Sequence, residues 1–506
     1  METKLLTEKY SDVLDGVLSC YDRILVTGSL SPLCYAHGMT KYLYIHHIRI
    51  FDYAQFAKPL AEQIRANAEE IARAHGLEIE FIRKKNFRLE TRVKELLEQR
   101  GNHPGLVCIF SAMERCESYK PWHNKTTGKT YLKRDSGKCL HYYFYFIDEE
   151  LGLCYIRVPT WCPFRLQFYF NGHNWLAGQL KNHGITFEML ENAFIRIANY
   201  DVANRLAAQF DIEVLHAKLD DLARRYCPIV ETLGLAYHWS ISQAEYATDL
   251  VFKRQTDLQA FYPHLLETLV LVVKPADIAT FLGRKLHGNY QGEMGNRFNV
   301  RLLGSRIKHQ MGAVSIKMYD KLGLVLRIEV TVNDVTFFKH YREVHHRDGT
   351  TTTQWAPMRK SIYSLPALQE SLLAANQRYL KFISEVATPH VGVQKLQQLT
   401  ETKTENSHRY KGFNLLAEED TSLFRVLMRG EFFVSGFTNK DLRRHLVGKS
   451  SAQISRLLKR LRVHGLIKKI GRRYKYYLTQ LGRQIILMIL KLREIVIIPE
   501  LACAQA

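Results

Sequence analysis

No apolar run in this chain reaches ~18 residues, the length a bilayer span needs, so no transmembrane helix is expected. Residues 1–12 are polar and carry no apolar h-region, so no secretory signal is expected either. The nine cysteines are odd in number and scattered. They read as reduced thiols of a bacterial, nucleoid-associated cytoplasmic protein rather than as a disulfide framework. Cys116 with His123 and Cys139 with His141 come nearest to a zinc pattern, and their spacing matches neither ribbon nor knuckle. There is no Walker A loop, no dinucleotide fingerprint, no low-complexity tract and no internal repeat. Tyr44-Ile45-His46-His47 lacks the His-apolar-His alternation that would put two imidazoles on one strand face.

Acidic residues are scarce where it matters most. Residues 421–494 contain 18 Lys+Arg against 3 Asp+Glu, a surplus of 15 out of the whole chain's 21. Such a concentrated basic segment is the footprint of a polyanion partner, because each cation that meets a phosphate releases condensed counterions. A membrane surface would call instead for a basic helix with a separate apolar face. At 506 residues, with 46% apolar content, the chain has enough material for several cores.

The expected fold class is α+β, in several domains. Residues 1–215 read as an N-terminal α/β unit with parallel pairing (strands near 23–27, 77–82 and 106–110, helices at 52–75 and 89–100), followed by an aromatic β-hairpin around 141–158. Residues 186–290 read as mostly helical. Residues 216–398 form a central mixed helical and antiparallel-sheet domain, 399–415 a linker, and 416–506 a DNA-binding domain.

The last domain has a legible plan. A helix at 423–428 precedes a short helix at 438–446 with Thr438 or Asn439 as its cap. A turn at Val447-Gly448 leads to a helix at 452–464 capped by Ser450 or Ser451, and then to a basic hairpin whose tip is Gly471-Arg472-Arg473. This order resembles the winged helix-turn-helix of MarR-like bacterial regulators. The resemblance implies double-stranded DNA as partner, with Ser450, Ser451, Gln453, Ser455, Arg456 and Lys459 along the recognition helix and Arg472, Arg473 and Lys475 in the wing. The apolar helix at 482–498 has two readings, a dimerisation arm giving a homodimer or a helix packed on this same chain.

A second constellation lies in the centre. In two alternating segments, 315–321 and 326–331, Lys317, Tyr319 and Lys321 share one face of the first and Arg327, Glu329 and Thr331 one face of the second, so neighbouring strands could present them together. A tyrosine oxygen can attack a phosphodiester, cations can stabilise the charge that builds up, and carboxylates can hold Mg²⁺ or Mn²⁺. Glu245 and Asp249, read as i, i+4 on a helix, are further ligand candidates beside Glu329. The block Gly304-Ser305-Arg306, Tyr319-Asp320-Lys321, Arg327-Ile328-Glu329 resembles rolling-circle replication initiators of plasmids and filamentous phages. That resemblance implies a metal-dependent nicking or strand-transfer enzyme of a mobile genetic element, with Tyr319, Lys317, Lys321, Arg306 and Arg327 catalytic; no cofactor other than the metal is expected. A half-exposed hairpin with cross-strand ion pairs accounts for the same residues without chemistry. The aromatic run 141–146 supports two further readings, a sheet core or a stacking surface for single-stranded DNA or structured RNA.

The whole chain also resembles a group of long bacterial proteins labelled MarR-family regulators, through the phrases at 137–148, 245–249 and 315–321. Three functions follow as alternatives: a DNA-binding transcriptional regulator, a tyrosine strand nickase, and an RNA-binding protein.

Overall fold

The computed structural model describes residues 4–83, 87–286, 290, 292–301, 304–386, 396–470 and 474–503. The chain divides into two compact units, residues 1–387 and 388–506. The first is built on one eleven-stranded sheet. Its strands are β1 (Leu14–Leu30), β2 (Ile79–Phe81), β3 (Gly105–His123), β4 (Thr130–Asp148), β5 (Gly152–Pro159), β6 (Leu166–Asn171), β9 (Tyr237–Phe252), β10 (Met294–Arg301), β11 (Gly304–Met311), β12 (Val314–Lys321) and β13 (Val325–Val332). A small hairpin, β7 (Phe187–Leu190) and β8 (Ala193–Ile197), stands apart from that sheet.

The strand order is β10-β11-β12-β13-β9-β1-β6-β5-β4-β3-β2. Every neighbour is antiparallel except β2 with β3, so the expected parallel α/β unit reduces to one short pair. The order contains a repetition that the residue pattern hides. β1 leads through helices to the meander β3–β6, whose last strand returns to pair with β1. β9 leads through helices to the meander β10–β13, whose last strand returns to pair with β9. The two copies meet at the antiparallel pair β1 with β9. Burial constrains a position to be apolar without constraining which apolar residue fills it, so topology can repeat without a repeat of residues.

One face of the sheet is covered by a long helical layer, including the helices Tyr53–Ala74, Ile212–Tyr226 and Leu365–Val386. Ile64, Phe144, Phe168, Leu219, Ile328 and Tyr379 are buried in that core. The expected domain boundary at 215/216 falls inside the helix Ile212–Tyr226, and a single sheet runs through both expected domains. The aromatic hairpin is core on both sides. Phe144 and Phe146 belong to the main core. Tyr143 and Tyr145 lie in a second cluster with Val93 of the helix Leu89–Arg100, where Tyr143 donates a hydrogen bond to Glu114 at 2.6 Å. Neither ring is free to stack on a base.

In the second unit, the helices Glu418–Leu427, Gly430–Ser435, Asn439–His445 and Ser451–Val463 precede a hairpin of Ile467–Ile470 with Lys475–Leu478 and a helix at Gln480–Lys491. Thr438 and Ser450 are the caps, each in a reciprocal capping box, with Asp441 and Gln453 respectively. Residues 399–415 are not a free linker: they contain the hairpin Lys403–Glu405 with His408–Tyr410, and Leu399 and Phe413 enter the core of this unit. Ile485, Ile486 and Ile489 enter the same core, so the helix they lie on packs on its own chain. Among the described residues no helix is long and apolar enough to cross a membrane.

Candidate functional site

On the face of the sheet opposite the helix Leu365–Val386, alternation brings charged side chains of five adjacent strands together. β12 presents Lys317, Tyr319 and Lys321, and β13 presents Arg327, Glu329 and Thr331. Across the ladder Lys317 pairs with Glu329 and Tyr319 with Arg327. β9 adds Glu245 beside Thr331 and Asp249 beside Arg327. Residues 243–249 are therefore strand, and the helical reading of Glu245 and Asp249 is corrected. They still share a face, because i and i+4 coincide on a strand as well as on a helix. β1 contributes Asp22, at a bulge where Asp22 and Arg23 together oppose the stretch of β9 at Glu245. β11 contributes Arg306 opposite Tyr319 and Lys308 opposite Lys317.

Two subclusters result. The deeper one centres on Arg327, which is fully buried. Its guanidinium donates to both oxygens of Asp249, at 2.7 and 2.6 Å, and to Asp22 at 2.9 Å. His173, at 0% exposure, stands 3.5 Å from Asp22 and 3.6 Å from Asp249. Burial alone would raise both carboxyl pKa values, but Arg327 overrides it; Asp249 falls to about 2 and Asp22 is lowered as well. Arg327 thus faces its carboxylates and not the open surface, and Asp249 is consumed by that pairing.

The shallower subcluster is reactive in type. Oxygens of Asp22, Glu245 and Glu329 lie within 4.8 Å of one another. Lys317 reaches between two of them, bonded to Glu329 and 3.5 Å from Glu245. Tyr319 donates to Glu329 Oε2 at 2.7 Å. Burial and then the charge of Glu329 raise the Glu245 pKa. Burial and Glu329 also raise the Tyr319 pKa, which keeps the phenol neutral and donating. Burial works against the Lys317 ammonium, but Glu329 and Glu245 outweigh it and leave its pKa raised. Lys321 is lowered by burial and by Arg327, and is bonded to Asn192. The Arg306 Nε is buried without a hydrogen-bond partner.

The donors suit a hard cation. Three carboxylates from three strands supply oxygen only, as Mg²⁺ or Mn²⁺ prefers. The position already attracts positive charge, since Lys317 lies there. Asp22 is the most committed of the three, accepting from Asn171 at 2.6 Å, Asn192 at 3.1 Å and Arg327. Sequence reasoning missed Asp22, Lys308 and His173. An Asp-Arg pair interrupting the apolar run of β1 was the one available signal.

The second unit presents a basic surface. Arg456 is exposed, as are Lys468 and Lys469, and Lys475 is half-buried; Lys469 lies 3.8 Å over the Tyr474 ring. Other expected contacts are already engaged. Gln453 accepts from the Ser450 N–H at 2.7 Å, Asn439 bonds Ser455 Oγ and the Ser451 carbonyl at 2.9 Å, and Lys459 is paired with Glu405. Arg460 turns inward onto Asp420, at 2.8 and 3.1 Å, and over Phe413. A groove of about 640 Å³ runs between the helix and the hairpin, lined by Arg443, Ser451, Ser455, Arg462, Lys469 and Tyr474 among others. Arg472 and Arg473 lie outside the described residues. Compared with models of known families, with curated proteins and with solved structures, the chain matches none.

Proposed function

We propose that the protein binds DNA and cuts one strand of it, with Tyr319 as nucleophile. The observation that carries this reading is the Tyr319 hydroxyl held 2.7 Å from a carboxylate within a three-carboxylate cluster. A hydrogen-bonded base beside a hydroxyl is the arrangement nucleophilic catalysis requires. Tyr319 Oη bonds to phosphorus and passes its proton to Glu329. The phosphorus–oxygen bond to the neighbouring nucleotide breaks, and the departing oxygen takes a proton from Lys317. Glu329 then returns a proton to Lys317, which it already contacts. One end of the cut strand stays on Tyr319 and the other leaves as a hydroxyl. Arg306 and Lys308, across the ladder from Tyr319 and Lys317, offset phosphate charge. Asp22, Glu245 and Glu329 would hold Mg²⁺ or Mn²⁺, which when bound supplies further charge neutralisation at the phosphate.

The second unit fits this reading as a winged helix that delivers the chain to double-stranded DNA. Arg456 and Lys475 are its best-placed cations, exposed or half-buried and making no ion pair among the described residues. Met488, Leu492, Ile495 and Leu501 point outward from its last helices, and through them we propose a homodimer. A monomer in sedimentation at micromolar concentration would refute the pairing. A regulator of the MarR-like kind would need the basic surface and not the buried carboxylates, so the first unit favours the enzyme.

The test is incubation of supercoiled DNA carrying candidate origins with Mg²⁺ or Mn²⁺. Wild type should yield relaxed circles and a protease-sensitive protein–DNA adduct, and Tyr319→Phe should yield neither. Equal relaxation by Tyr319→Phe would rule the tyrosine out.

A further inference from the structure

Beyond β13 the chain forms a two-stranded ribbon, Lys339–His345 with Thr351–Pro357, that is not joined to the large sheet. Its inner positions His340 and Ala356 face the body, while its outer positions are exposed. Two of those outer residues are Tyr341, 63% exposed, and Trp355, 68% exposed. They lie directly opposite each other across the ladder, with ring centroids 6.2 Å apart. Rings left in water add nothing to the core, so the fold does not explain them.

The surroundings are cationic. Lys339, Arg347 and Arg359 are exposed and make no ion pair among the described residues. Beside Trp355 a groove of about 440 Å³ is flanked by Arg284, Arg378 and Lys339, with Glu370 as its carboxylate. Adjacent aromatic faces set in positive charge form a platform for unpaired bases, whose rings stack while their phosphates meet the cations. An apolar protein surface would be a poor match for these cations, which outnumber the ribbon's exposed Glu343 and Asp348.

The Lys360 carbonyl accepts from Ile241 N at 2.6 Å, which ties the base of the ribbon to β9. The ribbon therefore rises from the Ile241 end of β9, and its groove is walled by Glu370, Ser371, Ala374 and Arg378 of the helix Leu365–Val386, on the face of the sheet opposite Tyr319.

We infer that Tyr341 and Trp355 stack on an unpaired DNA strand, at a place separate from the carboxylate cluster. The inference shares the DNA-binding premise of the proposed function but does not depend on Tyr319 being the nucleophile. It is tested on the full chain by tryptophan fluorescence during titration with a short oligothymidine at two salt concentrations. Quenching is expected, and Trp355→Phe should remove most of it. Tyr341→Ala combined with Trp355→Ala should weaken binding at least about ten-fold, the scale of one lost stacked base, with the circular dichroism spectrum unchanged. Unchanged affinity of the double variant would overturn the inference, as would equal quenching by a duplex of the same length or tighter binding of an oligouridine. If Tyr319→Phe abolishes nicking while the double variant retains full affinity, the ribbon's role fails and the nicking reading stands.

Discussion

The two units use charge in opposite ways. In the first, Arg327, Asp249 and Asp22 are almost wholly withdrawn from water and compensate one another. In the second, Arg456, Lys468 and Lys469 stay in solvent with little acid to balance them. A buried ion needs partners or it destabilises the fold, whereas an exposed one remains available to a polyanion. Net charge therefore pointed to the second unit and was silent about the buried cluster of the first, where opposite charges face one another. The contrast also divides the labour: buried charges hold geometry, and exposed charges make contacts.

The sharpest way to break this comparison is Arg327→Met. It leaves two buried carboxylates unpaired and is expected to destabilise the first unit by about 3–5 kcal/mol, seen as a lower midpoint in urea. A loss under about 1 kcal/mol would mean that the buried cluster does not hold the sheet. Acid offers a second test. Arg327 holds the Asp249 carboxyl down at about 2, below its ordinary 3.8, and lowers Asp22 as well. Groups depressed on folding stabilise above their unfolded pKa and lose that contribution as pH falls through the folded value. Stability should thus drop by about 2 kcal/mol for Asp249 alone between pH ~5 and ~2. Asp249→Asn should flatten that part of the pH profile.

The smallest effects separate two cations of the second unit. Arg460→Ala removes a largely buried pair with Asp420 and a contact 3.9 Å above Phe413, and should cost about 2 kcal/mol of stability. Its salt dependence of DNA binding should not change. Lys475→Ala should do the reverse, leaving stability within about 0.5 kcal/mol and lowering the salt slope of DNA binding by about one unit. Filter binding across a salt series, paired with thermal melts, reads both.

Much of the candidate site was legible because β12 and β13 alternate cleanly. Tyr319 with Lys317, and Arg327 with Glu329, follow from a period of two that needs no knowledge of neighbours. β9 misled for the opposite reason. Between Glu245 and Asp249 the apolar Ala247 falls on the charged face and the polar Thr248 on the other, so alternation breaks and the two carboxylates can be read on a helix. The recognition-type helix in the second unit was visible in its caps. That Gln453 is engaged at its own cap, and Arg460 with Asp420, was not, since both depend on which way a side chain turns.

Local pattern alone thus determined the strands that carry Tyr319 and Glu329, the capped helices of the second unit, and where positive charge accumulates. Only the tertiary structure decided that β1 lies beside β9, and with it that Asp22 joins Glu245 and Glu329 while Asp249 goes to Arg327. Asp22 and Glu329 are more than three hundred residues apart, and no local preference records a pairing at that range. It is set by which apolar faces can be buried together, and the carboxylates meet as a consequence.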